Sequence, residues 1–231
     1  MEKNLIRYSE ITKKMPREAI LIQGMGCIWK KCTFCDYYLD VSKHPFEVNS
    51  EAINSITGKF GILDVSNSGS AMEIDNKTLS LLAQKVKEKK IHTIWFEARW
   101  NYRFLLDKFR ENFPESRVKF RIGIETFNPD LREKWQKGVP KDILPEDIAK
   151  YYNGVSLIVG LKEQNIDNVC KDIEIANKYF EYFSLNIFTP NTTSQKPNEE
   201  VINAFIEKVL PSVENNPKID ILLQNTDWGI G

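Results

Sequence analysis

Short apolar runs recur along the chain at regular intervals. They are rich in Ile, Val and Phe, and several are apolar at consecutive positions. Strands of a parallel sheet that is covered on both faces have this pattern. We therefore predict seven parallel strands, at 19–23, 62–66, 93–97, 120–126, 155–159, 183–188 and 219–223.

The segments between these runs carry apolar residues at the three- and four-residue spacing of amphipathic helices. Such spacing predicts helices around 79–86, 166–180 and 201–209. Asn128-Pro129 is a typical helix start and Gly138 a typical stop, while Pro145 suits a first helical position.

Successive predicted strands begin 27 to 43 residues apart, which is the length of a βα unit. Six or seven units are too few for an eight-fold barrel of roughly 250 residues. We expect a single-domain α/β fold, a partial (β/α)6 TIM-type barrel with a possible extra C-terminal strand. Residues 1–18 would be an N-terminal extension, 189–198 a long βα loop, and 211–231 a segment that closes the barrel mouth.

Composition narrows the class of protein. The 231 residues are 42% hydrophobic and 28% charged, and 32 Lys and Arg balance 32 Asp and Glu. This is a globular composition, and a neutral chain lacks the cationic surplus by which proteins hold nucleic acids. No secretory leader or 18-residue apolar stretch is visible, so we expect a cytoplasmic protein that uses no membrane.

Three of the four cysteines lie close together directly after the first predicted strand. Cys27, Cys32 and Cys35 have the spacing C-x4-C-x2-C, and in a reducing compartment such a group indicates metal binding. Structural zinc takes four ligands, whereas three thiolates suit a 4Fe-4S cluster with one open iron. A fourth ligand is not expected, because Cys170 lies in a helical stripe as a small buried hydrophobe and His44 reads as a surface loop residue.

The motif resembles that of the radical S-adenosylmethionine (SAM) enzymes, whose usual signature is C-x3-C-x2-C with an aromatic residue before the last Cys. Phe34 occupies the aromatic position, and the first gap is one residue longer than usual. The form G-C-x-W-x-x-C-x-F-C is similar to the elongator-type and archaeosine-synthesising subgroup and, among short members, to the queuine lyases. Further matches follow in chain order, at Asn67–Ser70, Phe96–Arg99, Gly123–Asn128, Lys137-Gly138 and Leu157–Leu161.

The resemblance implies a 4Fe-4S cluster on the three cysteines and SAM as second cofactor. It places the amino end of SAM at a Ser-Gly turn, the ribose against strand-end carboxylates, the SAM carboxylate on a lysine and the adenine along backbone. The implied cofactor-binding residues are Phe34, Ser68, Gly69, Ser70, Glu97, Glu125, Lys137 and Leu161. Arg99 would hold either the SAM carboxylate or the substrate.

The resemblance also implies the reaction. A 5′-deoxyadenosyl radical would abstract hydrogen from the cyclopentenediol of free queuine, and C–N cleavage would release 7-aminomethyl-7-deazaguanine. An external one-electron donor such as flavodoxin or ferredoxin would be required, and tight nucleic-acid binding is not expected. A deazaguanine needs hydrogen-bond acceptors and a flat wall, for which the candidates are Asp36, Tyr37, Arg99, Asn186, Phe188 and Asp227.

Two alternatives stay open. A radical SAM enzyme of this subgroup could modify tRNA or a peptide instead of a free base. The cysteines could also belong to a non-catalytic iron–sulfur or zinc-binding regulator.

Overall fold

The computed structural model describes residues 5–231, which form two compact units. Unit 1 comprises residues 5–28, 37–120 and 226–231, and unit 2 comprises 29–36 and 121–225. Residues 1–4 of the predicted N-terminal extension lie outside the described part of the chain.

The sheet of unit 1 contains β1 (Tyr8–Ile11), β2 (Arg17–Ile22), β3 (Ile62–Asn67) and β4 (Thr93–Glu97). Strand β1 is antiparallel to β2, and β2, β3 and β4 are parallel in chain order. The helices described in this unit are α1 (Pro45–Asn54), α2 (Asn76–Glu88) and α3 (Leu106–Arg110). Short 3-10 turns at Tyr37–Leu39, Ala71–Glu73 and Trp100–Leu105 complete it.

Unit 2 repeats the βα pattern. Its strands are β5 (Arg117–Glu125, from Arg121 onward), β6 (Gly154–Val159), β7 (Tyr182–Ile187) and β8 (Ile219–Leu222), paired in parallel and in chain order. Its helices are α4 (Pro129–Lys134), α5 (Pro145–Ala149), α6 (Ile166–Tyr179), α7 (Glu199–Ala204) and α8 (Leu210–Val213).

One helix of unit 2 is irregular. A π-helical turn, Phe205–Val209, separates α7 from α8. Pro211 lies in the first turn of α8, and a proline has no N–H to continue the α-helical hydrogen-bond ladder. The helix predicted at 201–209 is therefore the short helix α7 followed by a π-helical turn, and α8 continues after it.

The predicted class, an α/β fold of the partial (β/α)-barrel type, is confirmed. All seven predicted strands are present as β2 to β8, including the extra C-terminal strand. The helix starts at Pro129 and Pro145 are also confirmed, and Asn128 Oδ1 caps α4 by accepting from the backbone N–H groups of Asp130 and Leu131. The sequence prediction missed β1, α1 and α3.

Residues 226–231 of the predicted closing segment run along β1. Gly231 and Ile6 exchange backbone hydrogen bonds, and Ser9 Oγ donates to the carbonyl of Trp228. The Trp228 ring lies 5.2 Å from the guanidinium of Arg17, the first residue of β2. This part of the tail is thus anchored at the amino end of β2. Over the described residues, no helix is both long and apolar enough to cross a membrane.

Candidate active site

Cys27, the first cysteine of the motif, lies in unit 1 after the carboxyl end of β2. Arg99, two residues beyond β4, donates from Nη1 to Cys27 Sγ at 3.1 Å. Nearby, the backbone N–H of Gly24 donates to Ser68 Oγ at 3.0 Å. A guanidinium at hydrogen-bond distance stabilises negative charge on the sulfur. Unit 1 therefore brings Cys27, Ser68 and Arg99 together at the carboxyl ends of neighbouring parallel strands.

The Ser68-Gly69-Ser70 turn approaches Cys27 very closely. A Cβ added at Gly69 would lie 3.2 Å from Cys27 Cα and 3.3 Å from its nitrogen, and it would also collide with the Glu73 carboxylate. Only a glycine allows this approach. The Ser70 N–H donates to Glu73 Oε2 at 3.0 Å, and Ser70 Oγ accepts from the Arg99 N–H at 3.4 Å.

Glu73 and Tyr102 are part of this arrangement, and the sequence prediction missed both. Tyr102 Oη donates to Glu73 Oε1 at 3.1 Å. Burial, reinforced by the Glu73 charge, raises the pKa of Tyr102 to about 12, so the phenol stays protonated and donates. The spacing Ser70-x-x-Glu73 is that of a capping box and was visible in the sequence; the partner Tyr102 was not.

The other two cysteines lie in unit 2, on a small hydrophobic core. Cys32 and Cys35 close a turn through Cys35 N–H to Cys32 O at 3.3 Å, and the Phe34 ring meets Trp135 edge-on at 6.2 Å between centroids. The buried residues of this core are Phe34, Leu131, Trp135, Ile158, Leu161 and Phe188. The packing fixes the two thiols and places the predicted Phe34, Leu161 and Phe188 beside them.

Glu125 and Lys137 form an ion pair in unit 2, with Nζ 2.7 Å from Oε1. Burial lowers the pKa of Lys137, but the charges of Glu125, Cys32 and Cys35 outweigh burial and leave that pKa above its ordinary value. Lys137 is therefore a permanent cation that lies near both thiols. Its Nζ is also 5.6 Å from the centre of the Phe34 ring.

The ion pair lies so close to the backbone of Gly123 that it leaves no room for a side chain there. A Cβ at Gly123 would lie 2.7 Å from Glu125 Oε1 and 3.1 Å from Lys137 Nζ. Strand β5 has a bulge between Gly123 and Glu125 in its pairing with β6, and the backbone of Glu125 has a φ of 66°. A non-glycine residue in the left-handed region stores backbone strain, which is typical of functional sites.

Asn186 is the last but one residue of β7, and Phe188 follows the strand on the same face. Asn186 Oδ1 is buried and, over residues 5–231, accepts no hydrogen bond. An unsatisfied buried acceptor is costly, so this oxygen is suited to a ligand donor.

The remaining candidates are placed differently. The Asp36 carboxylate, in unit 2, already accepts from the N–H and hydroxyl of Thr192, both at 3.0 Å. Tyr37 is exposed on its 3-10 turn in unit 1, and Asp227 adjoins the Trp228 anchor at the amino end of β2. Glu97 is the half-buried last residue of β4.

His44 and Cys170, the two residues considered as a fourth ligand, lie at the start of α1 and on α6. His44 is exposed at the start of α1, with Nδ1 3.8 Å from Glu47, as expected of a surface residue. Cys170 is half-buried on α6 rather than fully buried, and burial raises the pKa of its thiol.

Comparison with known proteins places this site in a family. The chain is 37% identical to a protein of known structure, the queuine lyase from Clostridium spiroforme bound to SAM and queuine, with a TM-score of 0.94 over 99% of this chain and all of that one. The chain belongs to the queuine lyase family. The predicted resemblance to radical SAM enzymes is thereby confirmed.

A second relative is more distant. The chain is 27% identical over 190 residues to the heme chaperone HemW of Buchnera aphidicola subsp. Schizaphis graminum, a match that covers 72% of this chain and 49% of HemW. The chain thus spans about half the length of that curated relative. No family model matches the sequence.

The chemistry of the donors fits the iron–sulfur cluster that this family implies. Cys27, Cys32 and Cys35 are partly exposed thiols, and each unit supplies a cation beside its own sulfur atoms, Arg99 in unit 1 and Lys137 in unit 2. Cysteine thiolates are the usual ligands of such clusters. Within neither unit do the described residues gather three or more His, Cys, Asp or Glu side chains into a metal site, so assignment of the three cysteines as ligands stays a prediction.

Proposed function

We propose that this protein is a radical SAM carbon–nitrogen lyase that acts on free queuine and releases 7-aminomethyl-7-deazaguanine. The observation that carries the proposal is the full-length likeness to a queuine lyase that binds SAM and queuine. When bound, the cluster and SAM would supply a 5′-deoxyadenosyl radical for hydrogen abstraction from the cyclopentenediol, once an external donor has provided one electron. The protein positions the reactants and excludes water, while the cofactors carry the radical chemistry.

In this proposal Cys27, Cys32 and Cys35 hold a 4Fe-4S cluster and leave one iron open. The cations Arg99 and Lys137 support it, because they offset the negative charge of three thiolates. The hydrophobic core around Phe34 packs against Cys32 and Cys35, and an apolar surrounding of this kind helps to set the reduction potential of a cluster.

The SAM contacts follow from the chemistry of each group. The Ser68-Gly69-Ser70 turn offers backbone and hydroxyl groups to the amino end of SAM. Glu97 and Glu125 accept the ribose hydroxyl protons. Lys137 binds the SAM carboxylate, and Leu161 lies along the adenine. Phe34 completes the lining of the SAM site. Support is strongest for Lys137, because it stays charged, pairs with Glu125 and lies near Cys32 and Cys35.

The substrate contacts are assigned by polarity. Asn186 Oδ1 is an unsatisfied buried acceptor and Phe188 is a buried flat wall, the two features that a deazaguanine requires. Arg99 is a further substrate candidate through its position beside Cys27. Asp36, Tyr37 and Asp227 stay predictions. Asp36 already accepts hydrogen bonds from Thr192, Tyr37 is exposed, and Asp227 precedes Trp228, whose ring contacts Arg17.

The test is an anaerobic reaction with reconstituted cluster, SAM, a one-electron reductant and queuine, followed by mass spectrometry. We expect 5′-deoxyadenosine and 7-aminomethyl-7-deazaguanine in parallel. Formation of 5′-deoxyadenosine without the released base would reject the lyase and retain a radical SAM enzyme. A colourless protein with one zinc per chain would favour the non-catalytic regulator.

The alternative substrate, tRNA, is tested in the same preparation. Tight tRNA binding that weakens steeply with salt would contradict the free-base proposal. The neutral net charge of the chain leads us to expect none.

A further inference from the structure

Two buried charged residues of unit 2 have no role in the chemistry proposed above. Asp172 of α6 and Arg132 of α4 are 4% and 2% exposed. Burial lowers the pKa of the Arg132 guanidinium, and the charge of Asp172 acts in the opposite direction. Two ionised groups are seldom withdrawn from water without a purpose, because desolvation is expensive.

Asp172 and Arg132 both form hydrogen bonds with the backbone of one residue, Phe127. Asp172 Oδ1 accepts from the Phe127 N–H at 2.7 Å, and Arg132 Nη1 donates to the Phe127 carbonyl at 3.3 Å. The Phe127 ring stacks on Phe180, the residue that ends α6, at 5.9 Å between centroids. Phe127 is thus fixed at its nitrogen, its carbonyl and its ring.

The fixed residue lies two positions after Glu125, whose backbone is strained at φ of 66°. A conformation of this kind persists only where the surroundings hold it. Asp172 also contacts the side chain of the intervening Thr126. The Asp172 contacts therefore hold the chain immediately after the strained residue.

Arg132 also holds the chain segment that carries Lys137, the other member of the ion pair. The carbonyl of Arg132 accepts from the Lys137 N–H at 2.9 Å, and Arg132 Nη2 donates to the Pro140 carbonyl at 3.2 Å. The segment that carries Lys137 is thus attached at both ends to Arg132.

We propose that Asp172 and Arg132 are positioning residues that hold Glu125 and Lys137 in the arrangement that binds SAM. The inference rests on the proposed function, since it takes Glu125 and Lys137 as SAM contacts. Neither Asp172 nor Arg132 touches SAM in this account; both act through Phe127 and through the Lys137 segment. Misplacement of a positioning element by about 1 Å is enough to weaken a site substantially.

The test measures the dissociation constant of SAM by anaerobic equilibrium dialysis, which needs no turnover. Asp172→Ala removes the acceptor of the Phe127 N–H and should raise that constant about tenfold. Asp172→Asn keeps an acceptor oxygen and should restore affinity to within about threefold of wild type. Arg132→Met, which loses both carbonyl contacts, should also raise the constant about tenfold.

The matched control is Ile173→Ala, a cavity-forming change at the next residue of α6, which is also buried. It should lower the melting temperature and leave SAM affinity unchanged. If Ile173→Ala weakens SAM binding as much as Asp172→Ala at a similar melting temperature, the pair is only structural and the inference is wrong. Where Asp172→Ala fails to fold, Asp172→Ser removes the same contact, and unchanged affinity in that variant would equally reject the inference.

The variant Lys137→Ala distinguishes failure of the proposed SAM contact from failure of the positioning role. If this variant binds SAM like wild type, the SAM contact itself is wrong. If Lys137→Ala weakens SAM binding and the Asp172 and Arg132 variants do not, the contact stands and only the positioning role falls.

Discussion

The two units stabilise their parts of the candidate site in different ways. Unit 1 holds Cys27 with short-range polar contacts, in which a glycine turn, a capping carboxylate and Tyr102 surround the backbone. Unit 2 holds Cys32 and Cys35 on a hydrophobic core, and the buried Asp172 and Arg132 contact the segments that carry the Glu125–Lys137 pair. The arrangement in unit 1 depends on the close approach of backbone atoms. The arrangement in unit 2 depends on hydrophobic packing and on charged residues that lie far away along the chain.

This difference predicts how each unit responds to mutation. In unit 1 the damage should come from any added atom at the turn. In unit 2 it should come from loss of supporting contacts that lie far along the chain.

The largest effect is expected from the cysteines. Cys27→Ser in unit 1 and Cys32→Ser in unit 2 should each reduce bound iron well below the about four atoms of a 4Fe-4S cluster and abolish 5′-deoxyadenosine formation. Cys170→Ser on α6 is the matched control and should keep iron and activity. Iron analysis and the visible absorption spectrum measure the result, and an active Cys27→Ser variant would contradict the ligand assignment.

The glycines compare the two units directly. Gly69→Ala places a Cβ 3.2 Å from Cys27 Cα and against the Glu73 carboxylate, and Gly123→Ala places one 2.7 Å from Glu125 Oε1. We expect Gly69→Ala to lower kcat/KM by about 100-fold, because rigid backbone must move, and Gly123→Ala by about tenfold, because side chains can yield. Steady-state kinetics against SAM measures both.

Equal effects of the two glycine substitutions would remove the contrast between the units. A larger effect at Gly123 would reverse it. The melting temperature of each variant shows whether the loss arises at the site or from general unfolding.

Tyr102→Phe tests the polar support in unit 1. The change removes the hydrogen bond to Glu73 and should cost about 1 kcal/mol in the free energy of unfolding, with a several-fold loss of kcat/KM. Denaturant titration and kinetics measure the two quantities. Full activity in this variant would mean that Glu73 needs no support from Tyr102.

The smallest effect concerns pH and the buried carboxylate of unit 2. Burial raises the pKa of Asp172 to about 6, against the opposing hydrogen bonds from Thr126 and the Phe127 N–H and the charges of Arg132 and Lys171. The folded state thus binds this proton more tightly than the unfolded state, so the contribution of Asp172 to stability falls as the pH rises through 6.

Relative to Asp172→Asn, wild type should gain about 1 kcal/mol between pH 7 and pH 5. For a chain of this length that is about 2–4 °C in melting temperature. Thermal unfolding of both proteins at the two pH values measures it. Parallel pH profiles would show that Asp172 does not titrate in this range.

The sequence predicted the fold because the strands are short, apolar and regularly spaced. Strand β4 has the predicted bounds, and the other predicted strands differ by at most three residues at either end. Strand β1 was missed because YSEI is short and half-polar, and its pairing with β2 is a tertiary contact. Helix α1 was missed because its buried face includes the polar Asn49.

The site was predictable where its residues are adjacent in sequence. The Ser68–Ser70 turn and the pair Glu125 and Lys137 stand beside recognisable strand ends or motif residues. Tyr102, Arg132 and Asp172 were not predictable, because nothing local marks them. Asp172 reaches Phe127 across 45 positions of sequence, and only the folded chain brings the two together.

The central claim, that free queuine is the hydrogen donor, is tested most directly with queuine deuterated at the carbon positions of its cyclopentenediol. In an anaerobic reaction with SAM and a reductant, we predict that 5′-deoxyadenosine acquires deuterium while 7-aminomethyl-7-deazaguanine is released. Unlabelled 5′-deoxyadenosine together with intact queuine would contradict the account.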